Sequence, residues 1–217
     1  MAVHQFADGM WLDHIAWGVP DTVAGVEQLR ELTGAEMFAP GEPEAGQWYL
    51  SAGLPFQDGR FLEVIGPAPG VTGHPLGDLL RSLQEPRLLF WFLRVENWDD
   101  LARRTEAVGR PLSRIEEVDD ERFHSYRRAG IGPGLDPVMP NVIEWRRRRP
   151  GSTDDGVCRI SDFRLGHPDP SSINAVLAAL GTDMTVAEAA RSTLTLELST
   201  PNGVVRLDGI GNPIDGT

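Results

Sequence analysis

The chain has 217 residues, 41% hydrophobic and 24% charged, which is enough to bury a sizeable core as one large domain or two small ones and argues against wholesale disorder. Its formal net charge of −12 repels a polyphosphate backbone, so nucleic acid is excluded as a partner. All 20 basic residues are Arg, which closes Schiff-base, phosphate-loop and Ser-Lys chemistry, and the single cysteine, Cys158, cannot form an internal disulfide and points to a reducing, cytoplasmic setting.

The opening MAVHQFADGM carries neither a basic leader nor an apolar core, and residues 1–9 are expected to be loose. No stretch approaches the roughly 20 apolar residues of a membrane helix, so no membrane partner is expected. From Trp11 to Val19 the Trp, Ile and Val content favours a strand, which Pro20 ends and Asp21 follows as a helix cap. The helix TVAGVEQLRELTG carries Val23, Val26, Leu29 and Leu32 as its apolar face and stops at Gly34. A weak strand near AEMFAPG and two firmer ones, GQWYLSAG and GRFLEVIGP, complete a unit over residues 10–68.

The pattern then repeats over residues 87–148. RLLFWFLRV is an aromatic strand; the helix after it has Trp98, Leu101 and Val108 on one face and ends at Gly109; RPLSRIEEV, ERFHSYRRAG and PNVIEWRR are three further strands. Val19 lies 76 positions before Val95 and Gly34 lies 75 before Gly109, so the two units register with one gap. The segment RRRRPGSTDDG is an exposed connection, and Arg146 to Arg149 read as a solvated charge run. A partial third copy, residues 157–209, begins at RISDFRLGHPDPSSINAVLAALG and ends in a hairpin turning at Asn202-Gly203; the tail 210–217 is expected to be loose.

Alternation along the first strand puts Leu12, His14, Ala16 and Gly18 on one face and Trp11, Ile15 and Trp17 on the other. Glu63 sits between Leu62 and Val64, and Glu144 between Ile143 and Trp145; a carboxylate inside an apolar strand needs a cation or a donor. Alone, His14 reads as a core histidine bonded to a carbonyl, and the glutamates pair equally well with arginines such as Arg94 or Arg122. Three chelating side chains at repeat-related positions favour a shared divalent ion instead. Arg94, in phase with Phe90 and Phe92, faces the same cavity or forms an ion pair; His124 supplies a missing ligand or an acid–base group, or faces solvent. Trp17, Trp48, Trp91 and Trp145 wall a pocket for an aromatic ligand or build core.

The head LDHIAWGVPD, the ends FLEVIGP and NVIEW of the two copies, and the repeat itself resemble the vicinal oxygen chelate superfamily, in its glyoxalase-like branch of glyoxalase, bleomycin-resistance and dioxygenase type. The resemblance covers about residues 10 to 150 and implies an α+β fold in which tandem βαβββ units form a half-open mixed-sheet barrel, with the partial third βα unit and C-terminal hairpin packed on the same domain. It implies metal ligands on the first and last strand of each unit: His14, Glu63 and Glu144, with the fourth position on Phe90, which cannot ligate. The implied ion is Mn, Fe, Zn or Mg. The implied function is a divalent-metal-dependent lyase or isomerase acting on a small substrate with adjacent oxygens, with Glu144 as base and Phe90, Arg94 and His124 contacting substrate. The alternative is a metal-free protein that sequesters a small molecule. Open barrel edges suit a homodimer.

Overall fold

The computed structural model describes residues 9–38, 47–120, 124–134, 136–147 and 156–211. Unit one consists of β1 (Met10–Gly18), α1 (Thr22–Thr33), β2 (Tyr49–Pro55) and β3 (Phe61–Pro67); of the weak strand expected at AEMFAPG, residues 35–38 show a single bridge from Phe38 to Gly53, and 39–41 lie outside the described residues. Unit two consists of β4 (Arg87–Val95), α3 (Trp98–Ala107), β5 (Leu112–Asp120), β6 (His124–Ile131) and β7 (Asn141–Arg147). The seven strands form one sheet in the order β2-β3-β1-β4-β7-β6-β5. β1 runs antiparallel to β4 at its centre, and each of these two lies parallel to the last strand of its own unit, β3 and β7. This is the mixed half-barrel of an α+β protein.

The helices begin and end where local chemistry directs. The Asp21 carboxylate accepts from the Ala24 N–H at 2.9 Å, and Gly34 closes α1 with φ 66°, a conformation glycine adopts without a Cβ penalty. Asn97 caps α3 in the same way through the Asp100 N–H. The buried face of α1 is Thr22, Gly25, Val26, Leu29 and Thr33, with Val23 and Leu32 exposed. Three-residue spacing falls about 60° short of a full turn at each step, so a stripe drawn through Val23, Val26, Leu29 and Leu32 winds off the core at both ends. Val108 leaves the α3 face likewise; Thr105 is buried instead. A helix that the hydrophobic pattern does not announce, α2 (Pro75–Ser82), fills the link between the units, with Pro75 in its first turn and the His74 ring accepting from the Gly77 N–H.

Residues 156–211 form a second sheet. β8 (Arg159–His167), α4 (Pro170–Ala179), β9 (Val186–Glu188), β10 (Ser192–Thr200) and β11 (Gly203–Gly211) order as β11-β10-β8-β9. The third unit is therefore fuller than a βα pair and a hairpin, because β9 adds a parallel partner to β8, and β11 continues two residues into the expected tail. This sheet lies behind the first. Trp91 of β4 meets Phe163 of β8 edge to face at 5.6 Å, and one core joins them with Trp17, Val142, Leu194, Leu196 and Leu198. The approach is close enough that a Cβ on Gly209 would fall 2.3 Å from the Leu88 carbonyl oxygen. The main core thus occupies the convex side of the half-barrel, and the concave side is left for a pocket.

Candidate functional site

The pairing of β1 with β4 slips between Leu12 and His14, so Asp13 is the extra residue of a bulge. The bulge resets the alternation. Met10 and Leu12 join Ile15 and Trp17 in the convex core, while Trp11, His14 and Ala16 face the concave side. Leu12 and Trp11 have therefore exchanged the faces that strict alternation gives them. The His14 ring is held between Phe61 and Phe92, with centroids at 4.7 and 4.4 Å. Its Nδ1 lies 2.8 Å from Asp13 Oδ2, where only the ring nitrogen can donate to the carboxylate. The indole N–H of Trp145 also donates to Asp13, at 3.3 Å. His14 Nε2 then faces Glu63 Oε2 at 3.7 Å, beyond hydrogen-bond range but inside ion-pair range for a protonated ring.

Glu144 does not join them. On β7, Ile143 and Trp145 pack with Phe92 and Tyr126, Asn141 lines the concave cavity, and Val142 enters the convex core. Glu144 shares the side of Val142. There it meets Arg127, whose Nε is 2.7 Å from Oε2 and whose guanidinium lies 4.4 Å above the Trp98 ring of the main core. The parallel registers explain the miss: Glu63 pairs with Ala16, two residues beyond His14, and Phe92, two residues beyond the matching Phe90, pairs with Asn141. The acid in NVIEW lies three positions past Asn141, and an odd step along a strand leads to the other face.

Among the described residues no group of three or more His, Cys, Asp or Glu is placed to hold a metal ion. The donors that do face each other are His14 Nε2 and Glu63, two rather than the expected three. This donor set does not fit the implied divalent centre.

A cavity of about 460 Å³ opens on the concave side. Glu63, Ile65, Phe90 and Phe92 line it from unit one and the central strand, Arg114, Glu116, Arg128 and Asn141 from unit two, and Trp48, Tyr49 and His74 at its rim. Phe90 is thus a lining residue as expected. Arg94 is not: its guanidinium lies 4.8 Å over the Trp11 ring. His124 opens β6, but its side chain lies outside the described residues, as does Arg122. Of the four tryptophans considered as walls, Trp48 alone lines the cavity, stacked on His74 at 4.0 Å, while Trp17 and Trp91 belong to the core.

Burial, and then the charge of Glu63, push the Tyr49 phenol above its ordinary range, so it stands beside Glu63 as a protonated hydroxyl. Burial works against the charge of Arg128, but Tyr126, Tyr49 and Glu116 outweigh it and hold the guanidinium above its usual value, with Glu116 Oε2 2.8 Å away. Asp13, Tyr49, His74, Arg114 and Asn141 were not legible as site residues. Only His74 carried a signal, as the residue before a helix-opening proline.

A half-open barrel built from a βαββ unit and a βαβββ unit, with a polar-tipped aromatic cavity on its concave side, defines a vicinal oxygen chelate fold protein. The chain belongs to the glyoxalase-like domain family, whose model matches residues 12–181. No curated protein matches it in sequence. Among solved structures, a hypothetical protein from Staphylococcus aureus superposes with a TM-score of 0.54 at 11% identity, over 94% of this chain and 86% of that one. A hypothetical protein from Bacillus halodurans gives 0.50 at 14% identity, over 66% and 99%. Methylmalonyl-CoA epimerase from Mycobacterium tuberculosis gives 0.46 at 18% identity, over 62% and 85%. At these identities the likeness is one of fold. No helix among the described residues is long and apolar enough to cross a membrane.

Proposed function

We propose that the protein is a glyoxalase-like lyase or isomerase that moves a proton on a small organic substrate with adjacent oxygens, with Glu63 as the base. The observation that carries this reading is the chain Asp13, His14, Glu63, which ends at the cavity wall. Asp13 accepts from Nδ1 and, with the two phenyl rings, fixes the imidazole; Nε2 faces the Glu63 carboxylate and balances its charge when the ring is protonated. Glu63 is the acidic group that borders the cavity on this side, so a carbon acid seated against Phe90 and Phe92 presents its proton there. The Asn141 amide and the Tyr49 hydroxyl are donors for the substrate oxygen on which charge develops. Apolar walls keep water away and strengthen both interactions.

Incubation with 2-hydroxy- and 2-oxo-carbonyl compounds in deuterated water, followed by proton NMR, tests this reading. The expected result is enzyme-dependent exchange of the carbon-bound proton beside the carbonyl, undiminished after chelation of divalent ions and reduced roughly 10²–10⁴-fold by Glu63→Gln. The aromatic wall of Trp48, Phe90 and Phe92 favours a second reading, a sequestering protein, for which the same compounds bind without exchange.

A further inference from the structure

Arg114 is a cavity residue that proton transfer leaves unused. It lies where the pairing of β5 with β6 slips between Ser113 and Glu116, and its φ of 52° makes it the one non-glycine residue with positive φ among the described residues. A long side chain holds that conformation only where its surroundings impose it, and such positions concentrate where ligands are gripped. Here the bulge sends the guanidinium into the cavity lining. Gly130 on β6 makes room for it: a Cβ there would come 2.5 Å from Arg114 Nη2. The neighbouring cation, Arg128, is already neutralised by Glu116. Arg114 has no carboxylate within ion-pair distance among the described residues, and burial pulls its pKa below the ordinary value, the mark of a guanidinium that has lost water without gaining a partner.

We propose that Arg114 anchors a carboxylate of the ligand, so that the cavity takes a small organic acid whose apolar body lies on Phe90, Phe92 and Trp48. A planar guanidinium with its fork unoccupied matches a carboxylate in two parallel hydrogen bonds, which an uncharged isostere cannot form as strongly. A cavity of about 460 Å³ suits an aryl- or alkyl-substituted acid of ordinary metabolite size. The proposal rests on the reading that this cavity is the binding site, and it orients the substrate with its acid at β5 and its reacting carbon at Glu63.

The test uses matched probes, 3-phenylpropanoate, indole-3-acetate and hexanoate, each beside its own amide, with affinities from calorimetry on the full chain. Arg114→Asn removes the cation while keeping a residue that tolerates the left-handed backbone. Phe90→Trp narrows the cavity without touching the charge. The expected result is that at least one acid binds about 10- to 100-fold tighter than its amide, that Arg114→Asn abolishes this preference without weakening the amide, and that Phe90→Trp weakens both. Equal binding of acid and amide, or a preference that survives Arg114→Asn, with both still weakened by Phe90→Trp, overturns the anchor and leaves the cavity standing. Binding indifferent to Phe90→Trp, or none by any probe, overturns the cavity reading as well.

Discussion

Glu144 and Arg127 meet on the back of the sheet beside Trp98, in a setting where both side chains keep about a fifth of their surface in water. A pair this largely buried is costly to break from one side, so Glu144→Gln, which leaves Arg127 a neutral acceptor, should cost about 1–3 kcal/mol in denaturant unfolding. It should leave proton exchange at wild-type rate, whereas a Glu144 that acted as base would lose it. The contrast with Glu63 shows what single residues disclose. Glu63 was legible because the alternation of β3 runs unbroken from Phe61 to Ile65, and a carboxylate among apolar neighbours stands out. His14 was legible as an imidazole in an apolar run, although the bulge before it moves Leu12 to the other face. Asp13 was not, because its role depends on a bulge, and a bulge follows from how β1 and β4 align, two strands more than 70 residues apart. Arg114 was hidden likewise, one arginine among 20 until the slip in β5 singled it out.

At the scale of elements, α2 brings His74 to the cavity rim, where its ring both caps the helix and stacks on Trp48. The cap needs a ring nitrogen with a free lone pair, which protonation removes. Burial lowers the His74 pKa, and Asp78 in the first turn of the helix only partly offsets it. Because the folded value lies below the unfolded one, stability is complete above the unfolded value of about 6.5 and declines as pH falls toward the folded value. Proton NMR of the His74 ring should therefore show a midpoint below 6.5, accompanied by a change in Trp48 fluorescence that His74→Ala removes. The strands other than β9 and the helices α1, α3 and α4 were readable from period and end signals. α2 was not, because its eight residues follow a run of glycines and prolines and bury only Gly77 and Leu80. So short an apolar face leaves no period to detect.

The molecule as a whole joins its two sheets through one core, with Trp91, Phe163 and Leu196 fully or almost fully buried between them. The second sheet should therefore not melt ahead of the half-barrel. Tryptophan fluorescence and far-UV circular dichroism should trace a single coincident transition in urea. Phe163→Ala should lower its free energy by about 3–5 kcal/mol without splitting it, and two resolved transitions would show that the sheets fold apart.

The bulk of the apolar burial lies behind the barrel, where Gly209 can accept not even a methyl group. The concave wall carries far less of that burden. Residues such as Phe90 and Asn141 are accordingly answerable to what the cavity holds more than to what holds the sheets together, so changing them can retune the ligand while the skeleton stays as it was.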